Sequence, residues 1–173
     1  DVHVHSNSFT TYRPTVQLDL HAPTPLEYFQ TLVLDDDDLP LLEAAACIAQ
    51  DEFPALDVQQ TLADVDHLVS RLKRRIAQDA SALVRLRALQ QFFYRDLGFS
   101  GNSNDYFARD NSYINRVLDT RQGIPISIAV IWIEMARALG LIAHGVSFPG
   151  HFMIKVTLPR GQVIIDPLNG QRS

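Results

Sequence analysis

Cysteine is almost absent. Cys47 is the single cysteine among 173 residues, so no internal disulfide can form. That usage fits a reducing compartment, and a cytoplasmic location is the expectation. Long apolar runs are missing as well. No stretch reaches the roughly 18 apolar residues of a membrane helix. No basic segment followed by an apolar one is visible near the start, and no membrane partner is expected. Positive charge is in short supply: 15 Lys and Arg against 20 Asp and Glu leave a net charge of −5. That balance argues against a nucleic-acid partner. The one basic run, "RLKRR" at Arg71 to Arg75, reads as the solvated face of a helix. No internal repeat is present, and no low-complexity segment beyond "DDDD" and a polar start.

What remains is an ordinary globular composition, 46% hydrophobic and 20% charged, long enough for one domain with a real core. Residues 1–24 are polar and proline-dotted and read as an N-terminal arm. His3 and His5 in it lack a third metal ligand nearby, so no metal site is expected there. Residues 25–173 read as a single domain, with a helical lead-in over 25–97 and a core over 98–170. The chain begins at Asp1 and stops at "NGQRS", which reads as a fragment of a longer chain.

Helical signals come first. Thr24 and Pro25 open one helix, and Asp35 to Asp38 read as acidic residues at the start of the next. "LPLLEAAACIAQDEF" is apolar along one stripe, with Cys47 as a small core residue. Asp57 caps a helix to about Gln78, and another runs from about Ala82 to Leu97, ended by Gly98. A polar loop follows. Asn111 or Ser112 then caps a short helix through "YINRVLDT". A buried helix runs from Pro125 to Leu139, with Trp132 in the core. After Gly140 the pattern turns to strands: "LIAHGVSF", "HFMIKVTL" and "QVIID". Helices first and strands last imply an α+β fold, with a central helix packed on a small antiparallel sheet.

Three features carry chemistry. The apolar helix starts at Pro125, His151 follows a Pro-Gly turn at the head of a strand, and Asp166 ends the next strand. A carboxylate bonded to one imidazole nitrogen would fix the tautomer of His151, leaving the other nitrogen to serve a nucleophile at the helix start. The hairpin register decides whether the pair can form. If Thr157 faces Gln162, paired positions sum to 319, and His151 and Asp166 become diagonal neighbours on one face, about 7–8 Å apart by backbone. A shift of one residue would separate them. The plainer roles are a backbone-bonded histidine and an Asp-Pro turn.

The stretch from Gly98 to Gly170 resembles a known family. "GFSGN", "NSYINRVLDTRQGIPISIAVIWIEMARALGL", "GVSFPGHFMIKV" and "IIDPLNG" look like the transglutaminase-like domain of the Sir-B-type invasion regulators. The same module occurs in some F-box proteins. "LPLLEAAACIAQDEFPALDV" resembles its helical lead-in. The resemblance implies a bacterial regulatory protein in which tetratricopeptide-like repeats follow this domain. It also implies a papain-like core, with a helix-borne cysteine and a histidine and aspartate on neighbouring strands. His151 and Asp166 match the last two positions. Pro125 stands where the nucleophile belongs, as Gly123 is followed by Ile124 and Pro125.

The expected function is therefore a transglutaminase-like domain without its nucleophilic cysteine. It would be a non-catalytic module binding a protein segment or small ligand in the His151–Asp166 cleft, with no cofactor. The alternative is a hydrolase or acyltransferase with a Ser127–His151–Asp166 triad. Two residues turn a helix by roughly 200°, so Ser127 points away if Pro125 points at His151. Asn102, Asn104, Asn111 and Tyr113 are candidate cleft contacts. Cys47 as a displaced nucleophile, and His144 with His151 and Asp166 as a metal site, are weaker options.

Overall fold

The computed structural model describes residues 40–102 and 112–172. The features expected at His3, His5, Thr24, Pro25, Asp35 to Asp38, Asn104 and Asn111 lie outside the described residues. Within them the fold is α+β, helices first and an antiparallel sheet last, as the pattern of periods predicts.

Helix α1 (Leu41–Glu52) buries Leu41, Leu42, Ala45, Ala46 and Ala49 along one stripe. Cys47 is exposed on this helix rather than in the core. The apolar stripe is carried by its neighbours, and residue 47 falls on the far side. Helix α2 (Val58–Lys73) starts where Asp57 accepts the Gln60 N–H at 3.1 Å. It stops five residues short of Gln78. Arg75 at its end pairs with Asp96, and both Arg71 and Arg75 lie over the Phe92 ring. The basic run is thus partly committed to packing.

Ser81 caps helix α3 (Ala82–Gln91), which runs directly into a π-helical turn at Phe92–Asp96. The sequence reads as one continuous helix here. The extra residue per turn lets Phe92 and Phe93 both enter the core, although they are adjacent. Phe93 stacks on Phe99 with ring centroids 4.3 Å apart. Gly98, at φ 73°, reverses the chain after the turn.

A two-residue parallel pair, β1 (Ser100–Gly101) with β2 (Gln122–Gly123), brackets helix α4 (Ile114–Thr120). Tyr113, not Asn111 or Ser112, holds the N-cap position of α4. Helix α5 (Pro125–Ala138) follows with proline in its first turn. Ile126 through Ile133 are all buried, so this helix is enclosed on every side. Gly140, at φ 80°, ends it. Strands β3 (Ile142–Phe148), β4 (His151–Leu158) and β5 (Gly161–Ile165) form an antiparallel meander in the order β3-β4-β5. Phe152, Ile154 and Val156 alternate into the core with Ala143 and Ile165, facing α5.

Glu134 is the one acid in α5. Burial raises its pKa, Arg137 opposes this, and Asp66 and Glu43 add to it. A carboxyl raised in the fold supplies stability below its unfolded pKa and loses it as pH rises through the folded value. Glu134→Gln should therefore raise the melting temperature at pH 7 and have no effect near pH 4. The gain stays under about 1 kcal/mol because the side chain is half solvated. Thermal melts at the two pH values check this, and an equal shift at both would show that charge is not the cause.

Candidate functional site

The β4–β5 hairpin has the register the pair requires. Thr157 faces Gln162, Val156 faces Val163 and Ile154 faces Ile165. The ladder closes one step further than the sequence suggests, with Leu158 facing Gly161 around a Pro159-Arg160 turn. His151 and Asp166 consequently share a face, and together they line a pocket of about 380 Å³ with Phe148, Met153 and Ile164. His151 is exposed and Asp166 half-buried. Among the described residues no hydrogen bond or ion pair joins the two.

This face is the one opposite the core. Phe152 and Ile154 point toward α5, so the alternation turns His151 and Met153 the other way. Neither Pro125 nor Ser127 is among the residues lining the pocket. The expectation that the imidazole and carboxylate meet over the start of α5 draws no support from this lining. The strand carries its bulky apolar residues at the even positions, and burying them decides the direction of the odd ones.

Pro125 is half-buried at the first position of α5, with no nucleophilic group to offer. Ser127 is fully buried. Its hydroxyl accepts the Ile124 N–H and donates to the Ile124 carbonyl, both at 3.1 Å. This is half of a capping box, needed because isoleucine at the cap has no side-chain acceptor. Gly123 makes room for it: a Cβ there would lie 2.5 Å from the Ser127 oxygen.

Asp166 is held by its own turn. One carboxylate oxygen accepts the Leu168 N–H at 2.9 Å, the plain Asp-Pro arrangement. Its backbone N–H donates to Gln171 and its carbonyl accepts from Gly170. Tyr94, delivered by the π-helical turn, donates to the Pro167 carbonyl at 2.8 Å. Burial, reinforced by the nearby Asp166 carboxylate, pushes the Tyr94 phenol far above its ordinary range. It therefore stays a neutral donor. Gln90 donates to the Gly170 carbonyl and accepts from the Trp132 indole, tying the turn to the central helix.

The other candidates lie elsewhere. Tyr113 is buried, edge-on to Phe53 at 5.4 Å. Asn102 bonds the Gly123 carbonyl through its backbone N–H. Neither lines the His151 pocket. His144 is on the same sheet face as His151, yet among the described residues no three His, Cys, Asp or Glu side chains group to hold a metal. Native-state alkylation of Cys47 would report its surface exposure, not a cleft nucleophile. Sequence reasoning missed Phe148 and Ile164 as pocket walls. The signal was available for Ile164, which the 319 register with alternation places on the face of His151 and Asp166; Phe148 reaches that face through the β3–β4 pairing, where it stands opposite His151.

Comparison with known proteins agrees with this architecture. A sequence profile described as Transglutaminase-like superfamily matches residues 59–173. A UPF0162 protein of Xylella fastidiosa is 40% identical over 139 residues, covering 80% of this chain and 50% of the relative. A UPF0162 protein of Vibrio cholerae is 27% identical over 138 residues, covering 79% and 51%. The UPF0162 protein YchA of Escherichia coli is 32% identical over 136 residues, covering 76% and 49%. The chain thus spans about half the length of the curated relatives it matches. No solved structure gives a significant match. Among the described residues, no helix is long and apolar enough to cross a membrane.

Proposed function

This chain belongs to the transglutaminase-like superfamily, and on that premise we propose that it is a non-catalytic binding module. It holds a protein segment or small ligand in the pocket of His151 and Asp166. The resemblance to Sir-B-type regulators supplies the setting, a regulatory protein in which this domain reads a partner. One observation carries the proposal: the Ser127 hydroxyl is buried and occupied by Ile124, while His151 and Asp166 open onto a pocket walled by Phe148, Met153 and Ile164. A serine attacks only when an aligned base takes its proton. Here the base and the hydroxyl serve different places. What the pocket offers is an apolar wall, an imidazole that donates or accepts, and a carboxylate that accepts. That set suits an apolar side chain with an adjacent amide.

A serine-directed fluorophosphonate tests the absence of catalysis. Wild type and Ser127→Ala are exposed to the probe and compared by intact mass. Equal, background labelling of both is the expected result. Labelling of wild type that Ser127→Ala abolishes would establish a working nucleophile and end the proposal.

A further inference from the structure

A second concavity lies on another part of the fold. It is built where helix α3 and its π-helical extension meet the turn after β5, and its volume is about 230 Å³. Three arginines line it: Arg87 from α3, Arg95 from the π-helical turn and Arg172 from the segment after Gly170. They converge although they are up to 85 positions apart, because Arg172 bridges back to Ile165 and Gln90 clamps the Gly170 carbonyl. No acidic residue is among the described residues of the lining.

The three are uncommitted. Several other arginines in this chain find partners. Arg75 pairs with Asp96, Arg116 with Asp119, and Arg85 donates to three backbone carbonyls. The side chains of Arg87, Arg95 and Arg172 make no hydrogen bond or ion pair among the described residues. Three exposed guanidinium groups border one small concavity, in a protein whose net charge is −5. Neutral donors join them. The Asn169 oxygen accepts the Gln171 N–H at 2.9 Å, which leaves its NH₂ group for another acceptor, and Gln91 lies beside it.

The geometry points to an oxyanion-binding site for a multiply charged small anion, phosphoryl or polycarboxylate. Guanidinium forks match both groups in two-pronged contacts. The site is separate from the His151 pocket and independent of what that pocket binds. It does share the turn that holds Asp166, since Asn169 and Gly170 belong to both structures.

The test is a titration of the ¹⁵N-labelled chain with sodium phosphate, sodium citrate and sodium acetate at constant ionic strength. The amides of Asn169 and Gly170 and the Nε groups of Arg87, Arg95 and Arg172 are followed. Saturable shifts with phosphate or citrate, and weaker ones with acetate, are expected. Tighter binding of phosphate identifies a phosphoryl ligand and tighter binding of citrate a carboxylate ligand. Arg95→Gln with Arg172→Gln should weaken binding by about tenfold or more, the scale of one or two charge-assisted hydrogen bonds. Arg74→Gln with Arg160→Gln removes the same charge at exposed positions outside the lining and should leave binding unchanged. Shifts that never saturate, or equal weakening in both double variants, would overturn the site.

Discussion

Trp132→Ala should lower the unfolding free energy by about 3–5 kcal/mol, the range for removing a large buried aromatic. Trp132 is fully buried in the middle of α5, surrounded by the apolar core. Its loss also leaves the Gln90 carbonyl oxygen without the indole donor now 3.0 Å away. Gln90 in turn holds the Gly170 carbonyl, so the defect reaches the turn of Asp166. Trp132 is the single tryptophan, so the variant must be followed by circular dichroism rather than fluorescence. Urea unfolding of both proteins measures the difference. A loss under about 1 kcal/mol would mean that the indole is not packed as described.

Gly170→Ala should cost about 2–5 kcal/mol by adding two penalties. The backbone at Gly170 has φ 72°, the left-handed region where a Cβ costs roughly 1–2 kcal/mol. The new methyl would also lie 2.5 Å from Cε2 and 2.6 Å from Cδ2 of the Tyr94 ring. Relieving such overpacking costs roughly 1–3 kcal/mol. Tyr94 cannot retreat without giving up the Pro167 carbonyl. The strain should therefore appear at the site as well as in the melting curve. Chemical-shift changes at Asp166 and Leu168 are expected alongside the lower midpoint. Gly98→Ala is the reference: its φ of 73° carries the same left-handed backbone penalty, but its Cβ would meet nothing within 4 Å, so it lacks the ring clash. If the two alanine variants lose equal stability, the Tyr94 contact is not the cause.

Much of this molecule was legible along the chain. The change from helical to alternating periodicity after Gly140 located the sheet. Asp57 and Pro125 marked helix starts because their chemistry is local. Parity within a hairpin needs only the turn length, which is why the 319 register, and with it the shared face of His151 and Asp166, could be written down beforehand. The π-helical turn could not, since Phe92-Phe93-Tyr94 reads as helix in any local window. It forms because three aromatic side chains have three separate destinations in the tertiary structure.

The amino-acid order by itself determined the main helices and the three-stranded meander, the enclosed central helix, the pairing of β4 with β5 and the absence of a thiol at Pro125. These depend on residues adjacent in sequence or one turn apart. Which face of the sheet the imidazole took was decided only when Phe152, Ile154 and Val156 were buried against α5. The gathering of Arg87, Arg95 and Arg172 was decided by the return of the chain end to β5. Both are outcomes of packing between distant segments, where the free energy of burial chooses among arrangements that local preferences leave equal.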